Sequence, residues 1–284
     1  MIALVLLSFE MSGALANSSS EKESVNADPA LKSLVPEFYR NKGSLHVAVN
    51  PDVVPIKFVD ESGNMVGFAP DILSAAAKIL DINLELNQSS FDALIPGLNS
   101  NRFDVLISLA DYKARQQNVT FVDYLSMGET VVSTLSFEKE IASNDDLCGL
   151  KLAVVKGTGS VQEVENVNKK CVDEGKVALD ISTYSDANTA LLSISTGVSD
   201  AAWVDSPVGY YNVHKFPDKF KVVYFNPLST YGIGFGVDVN SKKLAFAFQQ
   251  ALRKLYSDGV FDQLVVKWKL DAKDTKRDFP INGM

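Results

Sequence analysis

An α/β protein built as two sheets with helices on both faces is the architecture the sequence predicts. Apolar patterns typical of strands and of helices alternate along most of the chain, as parallel strands joined by crossover helices require. The alternation pauses at the charged run Glu138-Lys139-Glu140 and restarts at Leu150. At 284 residues the chain is also near the practical ceiling for one core, so two bodies are expected.

The elements follow in order. Residues 1–16 read MIALVLLSFEMSGALA, a short apolar run closed by the small-x-small pattern Ala14-Leu15-Ala16, which is expected to be a signal peptide. Glu10 interrupts the run, no Lys or Arg precedes it, and a buried N-terminal strand is the alternative. The polar stretch that follows lacks periodicity, so 17–42 is expected to be a flexible segment. Strands are expected at 45–49, 83–86, 104–109 and 131–137, with helices at 71–80 and 91–98. In the first helix Ile72, Leu73, Ala76, Ile79 and Leu80 share a face, and Asp71 suits the positive end of the dipole. After the restart, strands are expected at 151–155, 178–183, 201–204, 220–225 and 231–237. Helices are expected at 160–171, 187–195, 207–214, 242–256 and 260–270. The last two carry many apolar positions that need a sheet to cover, and periodicity leaves open which one.

Composition excludes several function classes. Acidic residues outnumber basic ones 35 to 27 and the net charge is −8, the wrong sign for a nucleic-acid surface. His46, His214, Cys148 and Cys171 are the only residues of those types, and neither pair has metal-ligand spacing. No metal or cofactor is expected. Beyond the leader nothing approaches the roughly 18 apolar residues of a membrane span, so the mature protein is expected to be soluble. No Cys follows the leader to carry a lipid. In an exported protein Cys148 and Cys171 are expected to form a disulfide; two buried thiols in a cytosolic protein are the alternative.

Motifs for catalysis fail one by one. Gly157-Thr158-Gly159-Ser160 opens a helix after a strand, but Gln162 stands where a dinucleotide fingerprint needs its third glycine, and no Lys completes a P-loop. No G-x-S-x-G elbow occurs. What remains is a constellation of three places. Arg115 lies just past a strand's C-terminal end, the 157–160 turn presents N–H groups at a helix N-terminus, and Asp205 ends another strand. An Arg fork and a helix start match a carboxylate, and an Asp matches an ammonium, so together they fit an α-amino acid. Singly, each reads more readily as a surface ion-pair partner or a cap, and it is their joint placement that carries the amino-acid reading.

Further pieces recur in a fixed order: Gly67-Phe-Ala-Pro-Asp71-Ile, Phe91-Asp-Ala-Leu-Ile-Pro-Gly-Leu98, Arg102-Phe-Asp104-Val-Leu-Ile-Ser and Phe121-Val-Asp-Tyr124. Val155-Lys-Gly-Thr158, Asp200-Ala-Ala-Trp-Val-Asp205-Ser-Pro, Tyr231-Gly-Ile and Asp258-Gly259 before Lys267-Trp268 continue the series. In these the chain, from about 43 to 270, resembles the extracellular solute-binding proteins of family 3, the polar amino-acid receptors that serve ABC importers.

The resemblance implies a two-lobed clamshell of the type II periplasmic-binding-protein class, with two mainly parallel sheets and a chain that crosses the hinge twice. Lobe one would comprise 43–134 and 233–284, and lobe two 135–232. It implies that Arg115 and Ser108 hold the ligand carboxylate, that Thr158 adds hydrogen bonds beside Gly159 and Ser160, that Asp205 takes the ammonium and that Phe91 lines the side-chain pocket. Three positions depart from the family: Val53 stands where an aromatic wall is common, Ala110 where a Ser or Thr hydroxyl is usual, and Ala69 where an acidic residue is common. Asp52 or Asp111 would favour a cationic side chain if either reached the pocket, the alternative being solvated loop acids. Implied partners are an amino acid or related amino compound and an ABC permease, with a monomeric, non-enzymatic protein in the periplasm. The rivals are an enzyme on the same clamshell, of the cyclohexadienyl dehydratase type, and a ligand-binding partner of a sensor.

Overall fold

The computed structural model describes residues 25–283; the leader expected at 1–16 lies outside them. The segment expected to be flexible is folded from residue 28. Asp28 caps α1 (Pro29–Lys32) by accepting from the Ala30 and Leu31 N–H groups, and its own N–H donates to Ile79 O. After α2 (Glu37–Asn41), the chain enters β1; Val35, between the helices, is buried in the first core. Helices of four and five residues are too short to show a 3.6-residue period, which is why the sequence pattern concealed them.

In the first half β1 (Ser44–Val49) runs parallel to its neighbours on both sides, and a small antiparallel sheet of β2 (Asp52–Val53), β3 (Lys57–Val59) and β4 (Met65–Val66) follows it. Next come α3 (Phe68–Leu80), β5 (Asn83–Gln88), a 3-10 turn at Phe91–Ala93, α4 (Leu94–Asn99) and β6 (Val105–Asp111). A 3-10 turn at Arg115–Gln117 leads into β7 (Val119–Thr134). In the second half β8 (Lys151–Val155), α5 (Gly159–Asp173), β9 (Asp180–Tyr184), α6 (Ala187–Ser195), β10 (Ala201–Asp205) and α7 (Ser206–Lys215) alternate, with β8, β9 and β10 parallel. The chain returns through β11 (Phe220–Asp238) to α8 (Lys242–Ser257) and α9 (Val260–Lys267).

The two parallel wings join in one eight-stranded sheet of order β5-β1-β6-β11-β7-β10-β8-β9. Its centre is the antiparallel pair β7 and β11, 16 and 19 residues long, each of which runs through both halves. The expected strand at 131–137 is therefore only the end of β7, and those at 220–225 and 231–237 are one strand. Nearly every residue of β7 is buried, so no period-two pattern marks it. Register shifts between Asn226 and Tyr231 explain why β11 reads as two pieces.

Core packing settles what periodicity left open for the last helices. Leu244, Phe248, Leu252, Leu255, Phe261 and Val265 share a core with β1, α3 and the adjoining ends of β7 and β11. Asp71 fastens this contact, accepting from Lys267 Nζ at 2.6 Å and Trp268 Nε1 at 2.8 Å. Separate cores fill the second half, around Trp203 on one face of its sheet and Ala190, Leu191 and Val204 on the other. The Cys148–Cys171 disulfide is formed and ties the entry of β8 to the last turn of α5.

Candidate functional site

Strand ends from both halves converge on a cleft of about 370 Å³, and all nine sequence-predicted positions line it. Val53 enters from β2, Phe91 from its 3-10 turn, and Ser108 and Ala110 from the C-terminal end of β6. Arg115 opens the next 3-10 turn; Thr158, Gly159 and Ser160 begin α5; and Asp205 closes β10. Val53 packs against both the first core and a second-half core, so it bridges the jaws as an aliphatic wall where an aromatic one is usual.

Arg115 is held in place by contacts within the protein. Its Nη1 donates to Ala110 O at 3.0 Å, and its guanidinium carbon lies 5.4 Å from the Phe91 ring centroid and 4.9 Å from that of Tyr112. Burial lowers its pKa, with Tyr112, Tyr231 and Asp205 opposing, yet a guanidinium stays charged. Such a preorganised fork suits a carboxylate. Ser108 sits at φ +54°, a left-handed conformation rare for a side-chain-bearing residue, and its buried Oγ makes no well-aligned hydrogen bond among the described residues. Backbone strain of this kind concentrates at functional sites.

On the opposite wall Asp205 faces the cleft, which Asp92 also lines. Burial raises the Asp205 pKa, while a hydrogen bond from the Tyr231 hydroxyl and the charges of Lys57 and Arg115 lower it. Arg115 and Asp205 both line the cleft, and the charge of each favours the ionised form of the other. Two other expectations are modified by the geometry. Thr158 Oγ1 donates to Val155 O at 2.7 Å and does not cap its helix. Ser160 Oγ donates to Glu129 Oε1 at 2.7 Å, so that hydroxyl is committed to the interior behind the wall. Glu129 also accepts from Trp203 Nε1 and is fully buried; burial, then the charge of Glu163, pushes its carboxyl up to about 8.

Asp111 does not reach the cleft. It is buried behind β6, where Oδ1 accepts from Gln116 Nε2 at 2.8 Å. The side chain of Asp52 lies outside those described. Sequence reasoning missed Tyr112, Tyr231, Lys57 and Trp203 as cleft residues. Lys57 is only 3% exposed and donates to Asn50 O at 2.7 Å. Tyr112 was within reach, three residues before Arg115, but a lone aromatic in an apolar stretch reads as core.

Comparison with known proteins identifies the family. The model of bacterial extracellular solute-binding proteins, family 3, matches residues 45–271. The chain belongs to that family. An arginine-binding protein of Corynebacterium glutamicum is 25% identical over 279 residues, covering 95% of this chain and 90% of the relative. The lysine/arginine/ornithine-binding periplasmic protein of Escherichia coli is 26% identical over 239 residues, covering 79% and 87% respectively. Among solved structures, a mutant of the arginine-binding protein from T. maritima has TM-score 0.73 at 29% identity, with 82% of this chain and 97% of that one covered. An ancestral amino acid-binding protein, a precursor of cyclohexadienyl dehydratase, has TM-score 0.72 at 28% identity, with coverage of 83% and 99%. This solute-binding protein is accordingly a two-lobed α/β clamshell, and its place is outside the cytoplasm.

Proposed function

We propose that the protein captures an amino acid, or a related amino compound, between two lobes and delivers it to an ABC importer. The observation that carries this reading is the pairing of Arg115 and Asp205 in one cleft, a cation and an acid matched to the two ends of a zwitterion. Lobe one comprises the first half through Met127 on β7 and the chain from Tyr231 on β11, rather than the expected 43–134 and 233–284, because Val131 and Val132 pack with the second-half cores. The hinge is the stretch where β7 and β11 pass between the lobes. Ligand bound to one lobe adds contacts for the other, so it favours the closed form through differential affinity. Ser108 and Arg115 take the carboxylate, Asp205 the ammonium, and Phe91 borders the side chain. Arginine, histidine, lysine and ornithine, named for the relatives, head the ligand candidates. Residues 1–16 act as a signal peptide, and the mature protein works as a periplasmic monomer.

The reading is of binding without chemistry. An enzyme on this clamshell needs a general acid facing its substrate. Of the acids with a raised pKa, Glu129 is turned behind the cleft wall, its oxygens taken by Ser160 and Trp203. Asp205, which faces the cleft, is the one assigned to the ammonium. A thermal-shift screen against amino acids, opines and polyamines tests the reading, since ligand at 100 times its Kd adds about 2.7 kcal/mol. Stabilisation by at least one amino acid is expected; none across the panel, or turnover of prephenate or arogenate, counts against it.

A further inference from the structure

We propose that Tyr112 is a positioning residue that couples the Arg115 anchor to closure of the cleft. Its backbone builds the turn that carries Arg115: the Tyr112 carbonyl accepts from the Arg115 N–H at 2.8 Å and the Gln116 N–H at 3.2 Å. Its ring supports the guanidinium from one side, 4.9 Å away. The same ring packs on Tyr231 at 5.2 Å between centroids, and Tyr231 in turn donates to Asp205. One side chain thus touches the supports of both anchors.

Its hydroxyl reaches across the cleft. A Cβ built on Gly159, the first residue of α5, would collide with Tyr112 Oη and Cζ. The tyrosine from the first half therefore lies directly against the helix start of the second half, at a spot only glycine leaves open. That helix start has no side-chain cap, because the Thr158 hydroxyl is turned to Val155 O. A neutral hydroxyl oxygen is well placed against the positive end of a helix dipole. Ala110, in the same stretch, lacks a hydroxyl, and Tyr112 supplies one two residues later from a longer arm. Closing the jaws seats Tyr112 on Gly159, and that contact favours the closed form even without ligand.

Pulsed electron–electron distance measurements on the full chain test this without a ligand, so the result stands apart from the amino-acid reading. Spin labels go on the exposed positions Glu61→Cys and Lys169→Cys, with the native disulfide intact. The unsubstituted background is expected to hold a short-distance population. Gly159→Ala and Tyr112→Ala should each deplete it several-fold, and their combination no further, because both remove one contact. Tyr112→Phe, which deletes only the oxygen and keeps the packing, should deplete it in part and guards against loss of fold. A short-distance population absent from the background, unchanged by Tyr112→Ala, or still depleted by Gly159→Ala once Tyr112 is gone would overturn the proposal.

Discussion

Asp123→Asn should flatten the pH dependence of stability, and the structure sets the size of the effect. Asp111 and Asp123 lie on β6 and β7, either side of Gly232 and Gly234 on β11, and both are fully buried. Lys276 Nζ stands 3.8 Å from Asp123 Oδ2, the Gly283 N–H faces Asp123, and Gln116 and Lys113 face Asp111. Burial, then the charge of Asp111, pushes the Asp123 carboxyl from 3.8 up to about 7. Two carboxyls so placed share a proton more readily than they both ionise. Between the two values the fold keeps a proton that the unfolded chain has released, so stability falls as pH rises from about 4 to about 7. At about 1.4 kcal/mol per pH unit, the ceiling is about 4 kcal/mol. In the variant, the amide can donate to Asp111 and the shared proton is no longer needed. Urea unfolding at several pH values should therefore show the unsubstituted protein losing about 2–4 kcal/mol more than the variant over that window. Parallel curves for the two proteins would refute the assignment of the proton to this pair.

Three further outcomes follow from the cleft and the disulfide. Arg115→Ala should cost about 2–5 kcal/mol of ligand affinity by calorimetry, because a desolvated carboxylate loses its partner, and a loss under about tenfold contradicts that role. Asp205→Ala should weaken amino acids far more than their deaminated analogues; equal weakening argues against an ammonium contact. Replacing Cys148 and Cys171 with serine, which opens a 23-residue separation, should cost about 3 kcal/mol of unfolding free energy. An unchanged denaturation midpoint would show that the crosslink contributes nothing.

Much of the fold is legible because its wings obey local rules. β8, β10 and α6 fall within a residue of their expected bounds, since each is a short element with turn residues at its ends. Of the two central strands, β11 is legible as two pieces but β7 only at its end, because β7 is buried on both faces and contains Asp123 and Glu129, whose polarity reads as loop. Arg115, the 157–160 turn and Asp205 reached one cleft because strand C-terminal ends converge at the jaw of such a sheet. Val53, Phe91, Ser108 and Ala110, implied by the family resemblance, line the same cleft. Tyr112 and Tyr231 escaped notice because their roles depend on what they touch across the jaws, which spacing along the chain does not encode.

The most direct test of the account is a structure of the protein with the amino acid that stabilises it most. The account predicts the α-carboxylate within hydrogen-bond reach of the Arg115 guanidinium and the ammonium against the Asp205 carboxylate, in the same molecule. A ligand seated in the cleft with its carboxylate or its ammonium away from both side chains would contradict it.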